Sequence, residues 1–508
     1  MRNPTAAIFG RVRLPTLFLL SFVSTAATAA GADFHARVID TGFSVEQPVL
    51  FGSLTGSPRP QLVVAGRDAE YRQYLAIYDI DDPGASGDAP LLAMNPGPNL
   101  IAYDIGRLGE QDALFFIAPG RILRYDLDDR SFDEVVRTRT IYGQKRAGNI
   151  LPIDFFRDVN LDGRDDLIVP DTAGYRVRLQ RVDGSLGNEF VLENSSSMTV
   201  RDGIVSFESR PLYNADMNAD GLSDLVVWRG NALQVYLQRE DLRFDEEPKR
   251  IELELGLLSE AELMALQGAP GSVDQSSLSE RRIFSIEDRN GDGLPDLLIE
   301  STESSGVFDK RNDFHLHLGR LEDGQAAYED AADSVLRSDG LQYGLVTTDI
   351  DADGKQDLLV RDVRLSFSRV IRALLSGNVP LKLHFFRMRD DGRYSDKAEY
   401  ETKTNVRFSL STGHMDIPAI RIADFDGDGL QDFVMQTDDN ELSFFHGEPT
   451  AGLFAEDAVT RRVPLPRNGE LVAADDVNSD GRTDLIIRYN AADGEAPSRT
   501  VRLLLARP

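Results

Sequence analysis

Six nine-residue stretches of this chain place oxygen-bearing side chains at positions one, three, five and nine, with glycine at position six. The first has Asp158, Asn160, Asp162 and Asp166 around Gly163; the second has Asp216, Asn218, Asp220 and Asp224 around Gly221. The third has Asp288, Asn290, Asp292 and Asp296 around Gly293; the fourth has Asp349, Asp351, Asp353 and Asp357 around Gly354. The fifth has Asp424, Asp426, Asp428 and Asp432 around Gly429; the sixth has Asp476, Asn478, Asp480 and Asp484 around Gly481. Alternate side chains of a tight loop converge on one point, and glycine permits the sharp turn. Such a donor set suits a hard cation, and calcium takes six to eight oxygens at about 2.3–2.6 Å. Position seven is expected to add its carbonyl. Magnesium wants fewer protein ligands and stricter octahedral geometry. Zinc is disfavoured, since the chain has no cysteine and no loop contains histidine. The expected cofactor is Ca²⁺, about six ions in a structural role, with these twenty-four residues as ligands. An EF-hand is not implied: its loop has about twelve residues and ends in a bidentate glutamate. One such stretch alone is an ordinary Asp/Asn/Gly turn. Six in register are a repeat.

The elements that hold these loops are strands. Each loop runs directly into a short apolar segment, such as Leu167-Ile168-Val169 or Leu485-Ile486-Ile487. The preceding residues also read as strand, as in Ala419-Ile420-Arg421-Ile422-Ala423. Two degenerate copies come first. Residues 104–112 keep the end aspartates and Gly109 but have Gly106 and Leu108 at middle ligand positions, and residues 53–61 keep only the outline. The eight first positions are 51, 54, 58, 72, 61, 75 and 52 residues apart, a blade-sized period. Four strands fit within a unit, as at 99–103, 113–117, 121–125 and 132–137. Four short antiparallel strands per repeat describe a propeller blade. The last unit offers strands at 470–474, 484–488 and 500–505, and lacks a fourth. A spare strand at 34–40 is expected to complete it and close the ring, which removes an exposed edge. The expected fold is all-β, a β-propeller of eight four-stranded blades, with seven as the alternative. Two longer spacings hold inserts. Ser259 and Glu262 form a capping-box signature for a short helix at 259–266, and Phe367, Val370, Ile371, Leu374 and Leu375 follow helical spacing.

Charge is uneven: 55 basic against 84 acidic residues give −29. Such a surface repels polyanions, so nucleic acid is excluded as a partner class. Arg2, Arg11 and Arg13 precede an apolar run from Leu14 to Val23 and an Ala27-Thr28-Ala29 cleavage signature. This reads as a signal peptide over 1–29, followed by a single domain over 30–508. Loss of the leader's three arginines takes the net charge from −29 to −32. The expected localisation is secreted or periplasmic, with no transmembrane span after signal cleavage. Without cysteine there are no disulfides, so stability must come from core packing, from bound metal, or from both.

The D-x-[DN]-x-D-G-x-x-D loop followed by an apolar strand resembles the FG-GAP/VCBS repeat family of integrin-α-like propellers, whose secreted bacterial members are numerous. The resemblance covers nearly the whole mature chain and implies a calcium-stabilised propeller of seven or eight blades, with the aspartates and asparagines above as ligands. It implies no single activity. Catalytic signatures are missing: there is no G-x-S-x-G elbow and no phosphate-binding glycine loop. His315 and His317 share one strand face, which suits either a metal or polar surface, and Trp228 reads as packing or rim. The expected function is a non-enzymatic binding or scaffold module for a protein or glycan at the cell envelope. A propeller-type polysaccharide lyase or hydrolase is the alternative.

Overall fold

The computed structural model describes residues 33–57, 59–80, 89–142, 150–201, 204–257, 279–306, 309–337, 341–363, 376–408, 415–449 and 452–507. The expected leader at 1–29 and the expected helices at 259–266 and 367–375 lie outside the described residues.

The strand following each loop is the second of its blade: Asp166–Asp171, Asp224–Arg229, Asp296–Gly306, Asp357–Val363, Asp432–Asp438 and Asp484–Arg488. The residues directly after each aspartate are apolar at successive positions because both faces are covered. In Asp166–Asp171, Leu167 and Val169 pack with Phe115 and Ile117 of the preceding sheet. Ile168 packs the other way, with Leu225 and Val227 of the following sheet. Successive side chains of a strand point to opposite faces, so a strand between two neighbours needs apolar residues at both parities.

Eight sheets form in this way, each with at least four strands. Eight apolar clusters lie between them, each drawing side chains from two successive sheets. One joins Ile39, Val501 and Leu503 of the last sheet to Leu62, Val64 and Ala76 of the first. The sheets therefore form a closed ring of eight blades, not seven. Closure uses the expected strand. Asp33–Asp40 lies antiparallel to Thr500–Arg507, with Asp33 opposite Arg507 and Asp40 opposite Thr500. The eighth blade is thus assembled from both ends of the chain.

Some boundaries differ from expectation. The first strand of blade two is Ala102–Arg107, so it begins later than position 99 and runs to the loop. Residues Gly469–Leu471 form a 3₁₀ turn capped by Asn468, so the first strand of blade eight begins at Val472. Two small hairpins lie beside the blades: Ser197–Arg201 with Ile204–Glu208, and Arg320–Glu322 with Gln325–Ala327.

Candidate metal centres

The six loops share one backbone. Position six is glycine in the left-handed region each time, from φ 82 at Gly163 to φ 93 at Gly429. Position four is left-handed as well: Leu161, Ala219, Gly291, Ala352, Gly427 and Ser479 have φ between 56 and 76. The carboxylate at position one holds this double turn. Asp216 accepts the N–H of Asp220 at 3.1 Å and of Gly221 at 2.7 Å, and Asp158, Asp349 and Asp476 repeat the pattern. Asp288 and Asp424 accept from their position-four and position-six glycines instead. At position five, one carboxylate oxygen accepts the N–H of position seven, as in Asp220 to Leu222 at 2.8 Å. The loop therefore turns its acidic side chains inward. Ligand oxygens of Asp349, Asp351 and Asp353 lie within 4.8 Å of one another, and so do those of Asp424, Asp426 and Asp428.

Position nine is placed differently. It is fully buried in five loops and 2% exposed in the remaining one, at Asp432. One of its oxygens accepts the N–H of position two, and the other accepts an N–H from the end of the third strand or just beyond it. Asp224 takes Met217 at 2.9 Å and Gln238 at 2.8 Å; Asp484 takes Val477 at 3.2 Å and Ala506 at 2.7 Å. Asp166, Asp296, Asp357 and Asp432 do the same. Each position-nine carboxylate thus straps the loop to the end of the third strand of its own blade. Burial pushes Asp166, Asp296, Asp357 and Asp484 up to about 7 and Asp224 up to about 6. The N–H donors oppose that rise, and the neighbouring loop carboxylates add to it.

Loops also bond to one another. The N–H of Gln356 reaches Arg289 O at 2.7 Å, that of Gln431 reaches Ile350 O at 3.0 Å, and that of Thr483 reaches Asp424 O at 2.8 Å. Between blades three and four Gln238 mediates, donating to Asn160 O at 2.7 Å and accepting Ser223 N–H at 2.9 Å. Loops one and two, and loops three to six, therefore stand hydrogen-bonded side by side.

Position three divides the loops into two kinds. In four of them it is asparagine, and the residue just before the distal N–H donor is leucine: Leu179, Leu237, Leu318 and Leu505. In the two with aspartate, that residue is basic. Arg387 pairs with Asp351, and His446 Nδ1 lies 3.2 Å from Asp426 Oδ2 and 3.5 Å from Asp432 Oδ1. These two carboxylates push the imidazole up to about 10, Asp426 first, and His446 in turn holds Asp426 below its usual range.

The degenerate units show what remains when loop acids are missing. Gly106 stands at position three because a Cβ there would meet Phe156 Cβ at 2.4 Å. Asp104 instead accepts the N–H groups of Phe155 and Phe156, both at 2.8 Å, tying blade two to blade three. Asp112 pairs with Arg107. In blade one, Gln61 occupies position nine, and its Oε1 accepts the N–H of Leu54 at 2.8 Å. That is the position-two strap without the acidic cluster.

Other candidates are engaged elsewhere. His317 is buried, with Nδ1 2.9 Å from Glu329 O, and His315 Nδ1 lies 3.4 Å from Arg281. Burial, aided by Arg281, pushes His315 down to about 4. Trp228 lies within Asp224–Arg229, packs on the core between blades four and five, and donates to Gly230 O at 2.6 Å. An open cleft of about 660 Å³ marks the ring seam, lined by Asp40, Phe43, Asp68, Arg72, Tyr74 and Arg499 among others. Arg72 is tied to Asp68 and Glu70, and Arg499 to Glu495.

The fold and site define an eight-bladed propeller with an aspartate loop at the first turn of each of six blades. Residues 424–487 match the FG-GAP-like repeat family, a stretch that spans the fifth and sixth loops, and the eight-bladed ring is consistent with a propeller of such repeats. Among solved structures, it is similar to an Agrocybe aegerita lectin that recognises non-reducing terminal N-acetylglucosamine, at 12% identity over 92% of this chain and 98% of that one, TM-score 0.40. It is similar to the Dos1 propeller at 9% identity over 93% and 95%, TM-score 0.41. It is also similar to the exotype rhamnogalacturonan lyase YesX at 12% identity over 94% and 74%, TM-score 0.31. Among the described residues, no helix is long and apolar enough to cross a membrane.

Proposed function

We propose that this protein is an exported, calcium-stabilised propeller that serves as a binding or scaffold module for a protein or glycan at the cell envelope. The observation that carries the metal part is one double left-handed turn repeated in six loops, which in the two all-aspartate loops gathers the oxygens of positions one, three and five within 4.8 Å of one another. Those donors are hard and anionic, and after their N–H bonds the carboxylates keep lone pairs free for a cation. When bound, calcium would supply the countercharge that lets neighbouring carboxylates stay close together. Position nine sits at the base of each site and anchors it. The basic leader, short apolar run and A-x-A signature support export. What favours binding over cleavage is that both arginines lining the seam cleft are held in ion pairs, leaving it suited to hydrogen-bonding hydroxyl or amide groups.

The test is calorimetry of the mature chain with 1 mM calcium and with chelator. A site whose Kd is a hundredfold below the free calcium contributes about 2.7 kcal/mol. Six such sites predict a fall in thermal midpoint on the order of 15 °C, given an unfolding entropy of about 1 kcal/mol/K for a ring of this length. An unchanged midpoint after thorough calcium removal would refute structural calcium. A glycan array and a polysaccharide-cleavage screen, both with calcium present, separate a binder from an enzyme.

A further inference from the structure

We propose that blade seven holds a metal site of a different class, in which Asp426, Asp432 and His446 bind a zinc-like transition cation. His446 lies outside the nine-residue loop and comes from the end of the third strand, Glu441–Phe445. It approaches both carboxylates through the same ring nitrogen, at 3.2 Å and 3.5 Å. Ligand atoms of all three residues lie within 4.8 Å of one another. A zinc ion about 2.1 Å from each of three tetrahedral donors holds them about 3.4 Å apart, close to the 3.2 Å and 3.5 Å that separate Nδ1 from the two carboxylate oxygens. Nitrogen is a poor ligand for calcium and a good one for zinc, copper or nickel. Neither ring nitrogen has a hydrogen-bond partner of good geometry among the described residues, although both are buried. What holds the imidazole is charge pairing with the same two carboxylates that would share the ion. His446 and Asp426 remain 17% and 26% exposed, so an ion can enter.

Two contrasts sharpen the assignment. In blade six the equivalent residue is Arg387, which neutralises Asp351 and offers no ligand atom. Elsewhere, His384 also has two carboxylates, Asp362 at 3.5 Å and Glu401 at 3.0 Å, but they approach opposite ring nitrogens and cannot share one ion with it. Among the described residues, blade seven alone of the six loop-bearing blades joins an imidazole to the loop acids. The site stands whether or not the other five loops take calcium.

The experiment is equilibrium dialysis of the full mature chain against zinc, with Co²⁺ absorption as the spectroscopic probe. One zinc per chain at micromolar concentration is expected, with a visible Co²⁺ spectrum. His446→Arg rebuilds the blade-six arrangement, so the countercharge persists while the ligand is lost; zinc affinity should fall at least a hundredfold. The double variant D426N/H446L rebuilds the Asn–Leu pair of four other blades and gives a second test should the arginine disturb folding. Zinc loading should also lower calcium stoichiometry by one in the wild type and leave it unchanged in H446R. Absence of zinc binding below 100 µM, or equal zinc binding by the wild type and either folded variant, overturns the proposal.

Discussion

Asp224 offers the sharpest separation of what the loops do as protein from what they do as metal sites. It is fully buried, and its two oxygens accept the N–H groups of Met217 at 2.9 Å and Gln238 at 2.8 Å. Asp224→Ala strands both donors without partners. Each buried unsatisfied donor costs about 1–3 kcal/mol, so the loss is about 4 kcal/mol in all. For a cooperative unit of this length that is a fall in thermal midpoint of about 4 °C. The comparison is Asp220→Ala, which removes an exposed carboxylate whose partners, Leu222 N–H and Asn218 Nδ2, face solvent. Differential scanning calorimetry on both variants, with calcium and with chelator, completes the square. Asp224→Ala should lose about the same stability in both conditions. Asp220→Ala should lose stability in calcium and almost none in chelator. If the Asp224→Ala deficit shrinks below about 1 kcal/mol in chelator, position nine acts chiefly as a metal ligand and the strap reading is wrong.

Other substitutions probe the backbone, the seam and a buried imidazole. Gly163→Ala places a Cβ at φ 82 with no atom within 4 Å, so its cost of about 1 kcal/mol is purely conformational, whereas Leu161→Gly relieves a left-handed, exposed leucine and should be neutral or mildly stabilising by chemical denaturation. Ile39→Ala empties a fully buried position in the cluster that closes the ring and should cost about 2–5 kcal/mol by calorimetry. His315 has a folded pKa of about 4 against 6.5 in the unfolded chain, so the unfolded chain takes up its proton first. Stability it contributes is present above pH 6.5 and lost as pH falls toward 4. After allowance for partial exposure, the wild type should lose about 1 kcal/mol more than His315→Gln between pH 7 and pH 5.5.

The loops and the ring were legible because their signals are local. Aspartate at alternate positions, glycine at six and an apolar run next need no distant partner to be read, and the spare strand at 34–40 followed from counting. What was hidden depends on residues far apart in sequence. Position four gives no sign that it is left-handed, since leucine, alanine and serine occupy it alongside glycine. Position nine looks like one more acid in the pattern, and its strap role appears only when Gln238 or Ala506 arrives opposite it. The partnership of position three with Arg387 or His446 spans 36 residues in one blade and 20 in the other. Gly106 reads as a decayed ligand, yet it is required by the ring of Phe156 from the next blade.

The pairing of Asp33 with Arg507 and of Asp40 with Thr500 has a mechanical meaning. The two strands that latch the ring enter their ladder at the same end. Tension applied between residues 33 and 507 therefore peels the latch open rung by rung and does not load all eight pairs in shear. A ring whose seam is packed by Ile39, Val501 and Leu503 resists heat as one body. Pulled from its two ends it yields first at that seam, releasing one strand while the other seven blades stay whole.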